Sequence, residues 1–335
     1  MYSRHQRVKL GNVKSEWSSI SKGVPQGSIL GPLLFNIFIN DIFFLDCDSQ
    51  IYNYADDNCI SISGDTVDSI RNSLTKDIIT FMDWFKVNAL MANPTKFQSM
   101  LISSNSCDDG DLRIPVENTV ISSSEKIKVL GVTIDNKLKF NQHISDVCIK
   151  AGKQLNVLQR LKKSLDYKSR MVIYKSFIMS NFNYCPMVWM FTNKKSLDKI
   201  ESIQKRALRF VLNDYLSGYD ELLNKGDVTG IKIVTLRLMA IEVYKCVHNL
   251  NPSYLNEMFI KKNNSYDLRD ASILERPVAI TTGYGLKSFQ SYGAKIWNLL
   301  PNDYKSVASI DDFKQIIKSW NGPNCDCAVC KMFLK

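Results

Sequence analysis

The stretch that most constrains this chain is Tyr54-Ala55-Asp56-Asp57, set inside Ile51–Ser63. Ile51, Tyr52 and Tyr54 precede two adjacent carboxylates, and Cys59, Ile60 and Ile62 follow them. β-Branched and aromatic residues at a period of two are the mark of strands. Asp56-Asp57-Asn58 supplies residues that favour turns. The pattern predicts a tight β-hairpin with both carboxylates at its tip. Adjacent like charges repel, and a hard cation bound by oxygen ligands, such as Mg²⁺, relieves the repulsion. A hairpin that presents carboxylates to Mg²⁺ is one half of a two-metal site for phosphoryl or nucleotidyl transfer. Taken alone, the stretch leaves open an ordinary polar turn that happens to hold two aspartates.

Upstream stands Gly23-Val24-Pro25-Gln26-Gly27-Ser28-Ile29-Leu30-Gly31-Pro32, followed by the run Leu33–Ile42. A glycine-rich loop permits backbone conformations and close approach that a Cβ would block, and Pro32 suits the first turn of a helix. The following run is nearly all apolar, which predicts a buried helix. After the hairpin, Gly64-Asp65-Thr66 is placed to cap a long helix. Val67, Ile70, Leu74, Ile78, Phe81, Met82 and Phe85 recur on it at three- and four-residue steps. Lys96–Ile102 reads as a strand, and Leu112–Val116, Asn118–Ile121 and Lys126–Ile134 as further short strands.

In this order and at this spacing, the glycine loop with its helix and the Y-A-D-D hairpin resemble the reverse transcriptase of non-LTR (LINE-type) retrotransposons, in particular the jockey-like group. The resemblance continues through Asn93-Pro94-Thr95-Lys96-Phe97-Gln98-Ser99-Met100 and Val129-Leu130-Gly131-Val132. It implies an RNA-directed DNA polymerase in which a primer 3′-hydroxyl attacks the α-phosphate of a dNTP between two Mg²⁺ ions. Mn²⁺ is the alternative ion. On that reading Asp56 and Asp57 are the metal ligands. Gln26 and Gly27 approach the template base and incoming nucleotide, and Tyr54 and Gly131 also contact substrate, Gly131 at the primer end. Lys96 serves as general acid towards the leaving pyrophosphate. A surface lysine and a turn glycine are the plain alternatives for Lys96 and Gly131.

From Phe140 the period turns helical, with apolar positions at Ile144, Val147, Ala151, Leu155 and Leu158. Further helices are expected from Asp166 to about Ser180, Lys195 to about Leu212, Ile231–Asn249 and Asp311–Trp320. The chain carries a formal charge of +10, and its placement matters. Between Lys150 and Arg209 stand fourteen lysines and arginines against three acids, a local excess of eleven that accounts for the whole surplus. A concentrated positive field suits a polyanion such as nucleic acid, whereas a single lysine-rich helix would read as a solvated face. Three basic amphipathic helices after a palm resemble the family's thumb. Lys150, Lys153, Arg160 and Lys163 are its candidate contacts to the nucleic-acid backbone. Phosphate contacts of this kind set register without reading sequence.

The expected architecture is α+β. Residues 1–139 form a partial polymerase palm, an antiparallel sheet with packed helices. Residues 140–225 form a helical basic thumb, and 226–335 a mixed C-terminal region. That region closes on Cys325, Cys327 and Cys330, whose spacing suits three of the four ligands of a Zn²⁺ site; reduced tail thiols are the alternative. With 45% hydrophobic and 23% charged residues the composition is that of a globular protein. No run of 18 uncharged apolar residues exists, so no membrane partner is expected. Nine cysteines without a signal-peptide pattern indicate an intracellular protein, nuclear or cytoplasmic.

The resemblance also sets out what else a complete site needs. In the family a third aspartate lies on a palm strand upstream of the glycine loop. Here the 22 residues before Gly23 hold one acid, Glu16, in a setting that does not match. The fingers and the endonuclease of such elements are not matched either. Two outcomes are therefore expected. One is a reverse transcriptase that is truncated and impaired; the other is a nucleic-acid-binding remnant without chemistry. RNA template, DNA primer and dNTPs are the implied partners, and oligomeric state is not set by the sequence.

Overall fold

The computed structural model describes residues 4–20, 23–24, 27–103, 112–262, 273–278, 281 and 285–323. The chain divides into two compact units, Met1–Leu130 and Gly131–Lys335. Helices and small antiparallel sheets are mixed throughout, an α+β arrangement.

The first unit begins with two nested strand pairs. β1 (Arg4–Gln6) pairs with β4 (Ser18–Ile20), and β2 (Lys9–Leu10) pairs with β3 (Val13–Lys14). Helix α1 (Gly31–Ile39) follows, with Pro32 in its first turn as expected. The strands β5 (Gln50–Tyr54) and β6 (Asp57–Ser61) then form a hairpin.

The long helix α2 (Val67–Val87) is the wall of this unit. Thr66 caps it, its hydroxyl accepting from the Ser69 amide at 3.1 Å. One apolar stripe of α2 packs on the hairpin of β7 (Arg113–Val116) and β8 (Thr119–Ser122). There Met82, Leu112, Ile114, Val116 and Ile121 are buried with Ile70, Leu74 and Ile78 around them. A second stripe, Phe81 and Trp84, is buried with Ile39 and Ile42 beneath Ile51 and Ile60 of the β5–β6 hairpin. Trp84 is therefore a core residue.

Two expectations are corrected here. The apolar helix α1 is not buried as a whole: Leu33, Ile37 and Phe38 are exposed, and only Gly31 and Ile39 are buried. Apolar composition states what a helix could bury, whereas burial also requires a packed neighbour, and Ile39 alone meets the cluster fully. The stretch 96–102 is not a strand. Pro94–Lys96 forms a single 3₁₀ turn, and pairing is reduced to one bridge, Ser99 to Ser123.

β9 (Lys126–Val129) ends the first unit and β10 (Val132–Asp135) begins the second. Apart from one isolated bridge between Lys261 and Leu274, the other elements of the second unit among the described residues are helical. Its elements are α3 (Asn141–Arg160), α4 (Tyr167–Ile173), α5 (Ser180–Asn183), α6 (Pro186–Trp189), α7 (Lys194–Leu212), α8 (Tyr219–Gly226), α9 (Ile231–Val247), α10 (Ser253–Asn256), α11 (Phe289–Leu299), α12 (Asn302–Lys305) and α13 (Ile310–Ile316). A π-helical segment, Tyr174–Met179, joins α4 to α5. One hydrophobic cluster runs through the unit from Ile144 to Trp320. Its centre is α9, where Tyr244 stacks on Phe313 with ring centroids 4.3 Å apart, beside Trp297 of α11.

Candidate functional site

The β5–β6 hairpin places its residues by register. Ile51 faces Ile60, Asn53 faces Asn58, and Tyr54 faces Asp57, so Ala55 and Asp56 form the two-residue turn. Ile51 and Ile60 point to the α2 core while Tyr52 and Tyr54 face outward. Ala55 has φ +54°, a left-handed conformation that costs a non-glycine residue about 1 kcal/mol or more. Two asparagines brace that turn. The Asn53 side-chain amide donates to the Ala55 carbonyl and to Asn58 Oδ1, each at 2.8 Å. Asn58 Nδ2 donates to the Asp56 carbonyl at 3.5 Å.

The carboxylates of Asp56 and Asp57 are exposed at this tip. Among the described residues neither has a hydrogen-bond or ion-pair partner, and no third His, Cys, Asp or Glu joins them in a metal-binding group. Two uncompensated carboxylates on adjacent residues of a braced hairpin are hard oxygen donors. That donor set fits Mg²⁺ or Mn²⁺ and does not fit a thiophilic ion.

The other expected residues of the first unit lie on separate elements. Gly27 has φ +81°, a conformation that favours glycine, and an added Cβ there would meet nothing within 4 Å. Its requirement is therefore conformational rather than steric. Gln26 lies outside the described residues. Lys96 is exposed at the end of the Pro94–Lys96 turn, which Asn93 caps through its bond from the Thr95 amide at 3.1 Å. No bond among the described residues joins Lys96 to Asp56 or Asp57.

The basic residues belong to the second unit. Gly131, at φ +85°, opens it, and a Cβ at that position would sit 3.6 Å from Tyr184 Cε1. Lys150, Lys153 and Arg160 are exposed on α3, and Lys163 is exposed in the Lys162–Ser164 turn that follows. Helices α3 and α7 pack together and leave a groove of about 460 Å³ between them. Lys153, Lys199 and Arg206 line it with Ser145, Asn156 and Ser202, and no carboxylate does. Arg206 donates to Asn156 Oδ1 at 3.4 Å across the groove. Burial pushes the Cys148 thiol on its wall up to about 11, although Lys199 pulls it down, so that thiol is a neutral lining group. Lys199 and Arg206 were not singled out from the sequence. Their place opposite Lys153 depends on how two helices distant in sequence pack, which periodicity does not reveal.

Cys325, Cys327 and Cys330 lie outside the described residues, as does the expectation of Zn²⁺ there. Among the described residues no helix is long and apolar enough to cross a membrane.

The family described as reverse transcriptase (RNA-dependent DNA polymerase) matches residues 2–134. The chain is 25% identical over 221 residues to the probable RNA-directed DNA polymerase from transposon BS of Drosophila melanogaster, a span of 62% of this chain and 24% of that protein. It is 27% identical over 216 residues to the RNA-directed DNA polymerase from mobile element jockey of the same species, spanning 60% of this chain and 23% of that protein. The jockey enzyme of Drosophila funebris is 24% identical over 262 residues, or 75% of this chain and 28% of that protein. The chain thus spans about a quarter of the length of these relatives. The similarity to the reverse transcriptase family thus spans residues 2–134, the Asp56-Asp57 hairpin among them, and the relatives it points to are RNA-directed DNA polymerases of mobile elements such as jockey and BS, which supports a likeness to the LINE-type, non-LTR group.

Proposed function

We propose that the chain carries the nucleotidyl-transfer hairpin and a nucleic-acid grip of an RNA-directed DNA polymerase, which extends a DNA primer on an RNA template with dNTPs. The observation that supports this most is the exposed, uncompensated Asp56-Asp57 pair on a braced hairpin inside the segment that matches reverse transcriptases. Asp56 and Asp57 would hold Mg²⁺, which when bound neutralises charge on the reacting phosphates and activates the attacking oxygen. Tyr54, beside the pair, offers a ring face to a substrate. Gln26 and Gly27 belong to the glycine-rich stretch of sequence that would approach the template base and nucleotide. Lys96 is the proposed proton donor to pyrophosphate, and Gly131 the close approach to the primer end.

On this reading residues 1–139 act as a partial palm and 140–225 as a thumb, with the Lys153–Lys199–Arg206 groove its phosphate track beside Lys150, Arg160 and Lys163. Phosphates seat there without base specificity. A two-ion site draws on more carboxylates than the pair supplies. The pair alone is therefore proposed to give an impaired rate. A second reading, a binding remnant with no chemistry, is favoured by the same observation that no third ligand joins the pair among the described residues.

Primer extension on an RNA template with Mg²⁺ and dNTPs tests the proposal. Extension that the Asp56→Ala/Asp57→Ala chain loses supports the polymerase. Extension of equal rate in both chains would refute a role for the pair.

A further inference from the structure

Asp77 stands on α2 one turn before Phe81 and two before Trp84, on the face that carries the hairpin core. It is fully buried. Its carboxylate meets no Lys or Arg within ion-pairing distance among the described residues; all of its partners there are neutral donors on the chain entering β5. The Asp48 amide donates to Oδ1 at 3.1 Å and the Ser49 amide to Oδ2 at 2.8 Å. The Ser49 hydroxyl donates to Oδ2 as well, and Ser49 is itself buried. The nearby Lys76 pairs with Asp48 instead, at 3.8 Å.

A buried carboxylate is costly unless it is hydrogen-bonded. The three donors fill three of its four acceptor sites, and charge-assisted bonds of this type are stronger than neutral ones. The pocket is built for a group that only accepts. Asparagine, of the same size, would offer one oxygen and turn an NH₂ towards donors.

The place of these bonds gives them a consequence. They grip the two residues immediately before Gln50, where β5 begins and where Gln50 faces Ser61 at the open end of the hairpin. Phe81 and Trp84 support the middle through Ile51 and Ile60. Nothing else among the described residues bonds the Asp56-Asp57 tip to α2. A five-residue strand spans about 17 Å at ~3.3 Å per residue. A rotation of about 4° at its base therefore carries the tip about 1 Å, a displacement that costs about a hundredfold in a positioned reaction.

We propose that Asp77 is a positioning residue, a carboxylate clamp that fixes the base of the hairpin on α2 and so aims the Asp56-Asp57 pair. The proposal rests on the reading of that pair as the nucleotidyl-transfer site.

Two measurements on the full chain test it. The variants are Asp77→Asn, which keeps the volume, and Ser49→Ala, which removes only the hydroxyl donor. The first measurement is steady-state primer extension with Mg²⁺. Expected is a fall in kcat of about a hundredfold for Asp77→Asn and about tenfold for Ser49→Ala, with KM for dNTP within threefold of wild type. The second is hydrogen–deuterium exchange without substrate. Expected is faster exchange over 50–61 and no change over 113–122, the hairpin packed on the other face of α2. Unchanged exchange over 50–61 in both variants would overturn the clamp. Faster exchange there with kcat within twofold of wild type would reduce Asp77 to a structural residue. A wild-type chain that extends no primer would overturn the polymerase reading and the catalytic sense of the clamp together. The exchange comparison alone would then decide whether Asp77 holds the hairpin.

Discussion

Asp214 accepts from the amides of Leu216 and Ser217, from the Ser217 hydroxyl at 2.7 Å, and from Lys225 Nζ at 2.6 Å. The Lys225 ammonium, then Ser217, hold its carboxyl well below the usual carboxylate range, and Asp214 in turn raises Lys225. A carboxylate depressed in the folded state stabilises the fold above its unfolded value near 4, and a raised lysine does so below about 10. Asp214→Asn is therefore expected to lower the thermal midpoint between about pH 4 and pH 10. The gap from wild type should close as pH falls below about 4 and the Asp214 carboxylate protonates. Thermal melts of both chains from pH 2 to pH 8 check this; a gap independent of pH would show that the pair adds nothing. At this scale the sequence was informative where local chemistry decides. Asp56 and Asp57 stand at a hairpin tip because period-two strands bracket them, although the turn falls on Ala55-Asp56 and not on Asp56-Asp57-Asn58, since Asp57 and Asn58 pair into β6. Asp77 was invisible, because on a helix an inward aspartate looks like any break in a stripe until the loop it caps is known.

Among the elements, one buried side chain of α7 ties it to the start of α9. Gln204 is fully buried on α7. Its Nε2 donates to Tyr174 Oη at 2.9 Å and to the Thr229 carbonyl at 3.1 Å, and its Oε1 accepts from Tyr219 Oη and from the Ile231 amide at 2.9 Å. Burial pushes the Tyr174 hydroxyl up to about 12, although its bond to Gln204 pulls it down, so it stays neutral in this network. Gln204→Leu would leave the Ile231 amide and two tyrosine hydroxyls without this partner. At about 1–3 kcal/mol for each buried group left unpaired, a loss of at least 3 kcal/mol is expected in urea unfolding. A loss under 1 kcal/mol would mean that water replaces the bonds.

Helices such as α3, α7 and α9 were legible, since their stripes recur over four or more turns. Helix α11 was not named, although Ser288 caps it through the Ser291 amide and Tyr292, Ile296 and Leu299 keep helical spacing. Its small residues Gly293 and Ala294 weakened the stripe. They are small because the helix packs tightly: a Cβ on Gly293 would lie 2.9 Å from Val243 Cγ2. The exposed α1 and the single bridge at Ser99 share one cause. Both readings assumed a partner surface that apolar content alone does not supply.

For the whole chain, the surplus charge and the paired carboxylates fall in different units, Lys150–Arg209 in one and Asp56-Asp57 in the other. Grip and chemistry should therefore separate by mutation. Each cation that neutralises a phosphate contributes roughly one unit to the slope of log affinity against log salt. Replacing Lys153, Lys199 and Arg206 together by alanine is expected to weaken binding to an RNA–DNA hybrid at low salt and to flatten that slope by about two to three units. An unchanged slope would place the phosphate track elsewhere. Charge placement was legible at this scale; the groove that concentrates it was not, because it arises from packing between distant helices.

The measurement that bears most directly on the central claim is primer extension beside filter binding of the same RNA–DNA duplex, with the wild-type chain and Asp56→Ala/Asp57→Ala, in Mg²⁺. Expected is slow extension by the wild type, none by the variant, and equal, salt-sensitive binding by both. Equal extension by the two chains, or none by either with binding intact, would contradict a nucleotidyl-transfer role for the hairpin; the second result would leave a protein that only grips nucleic acid.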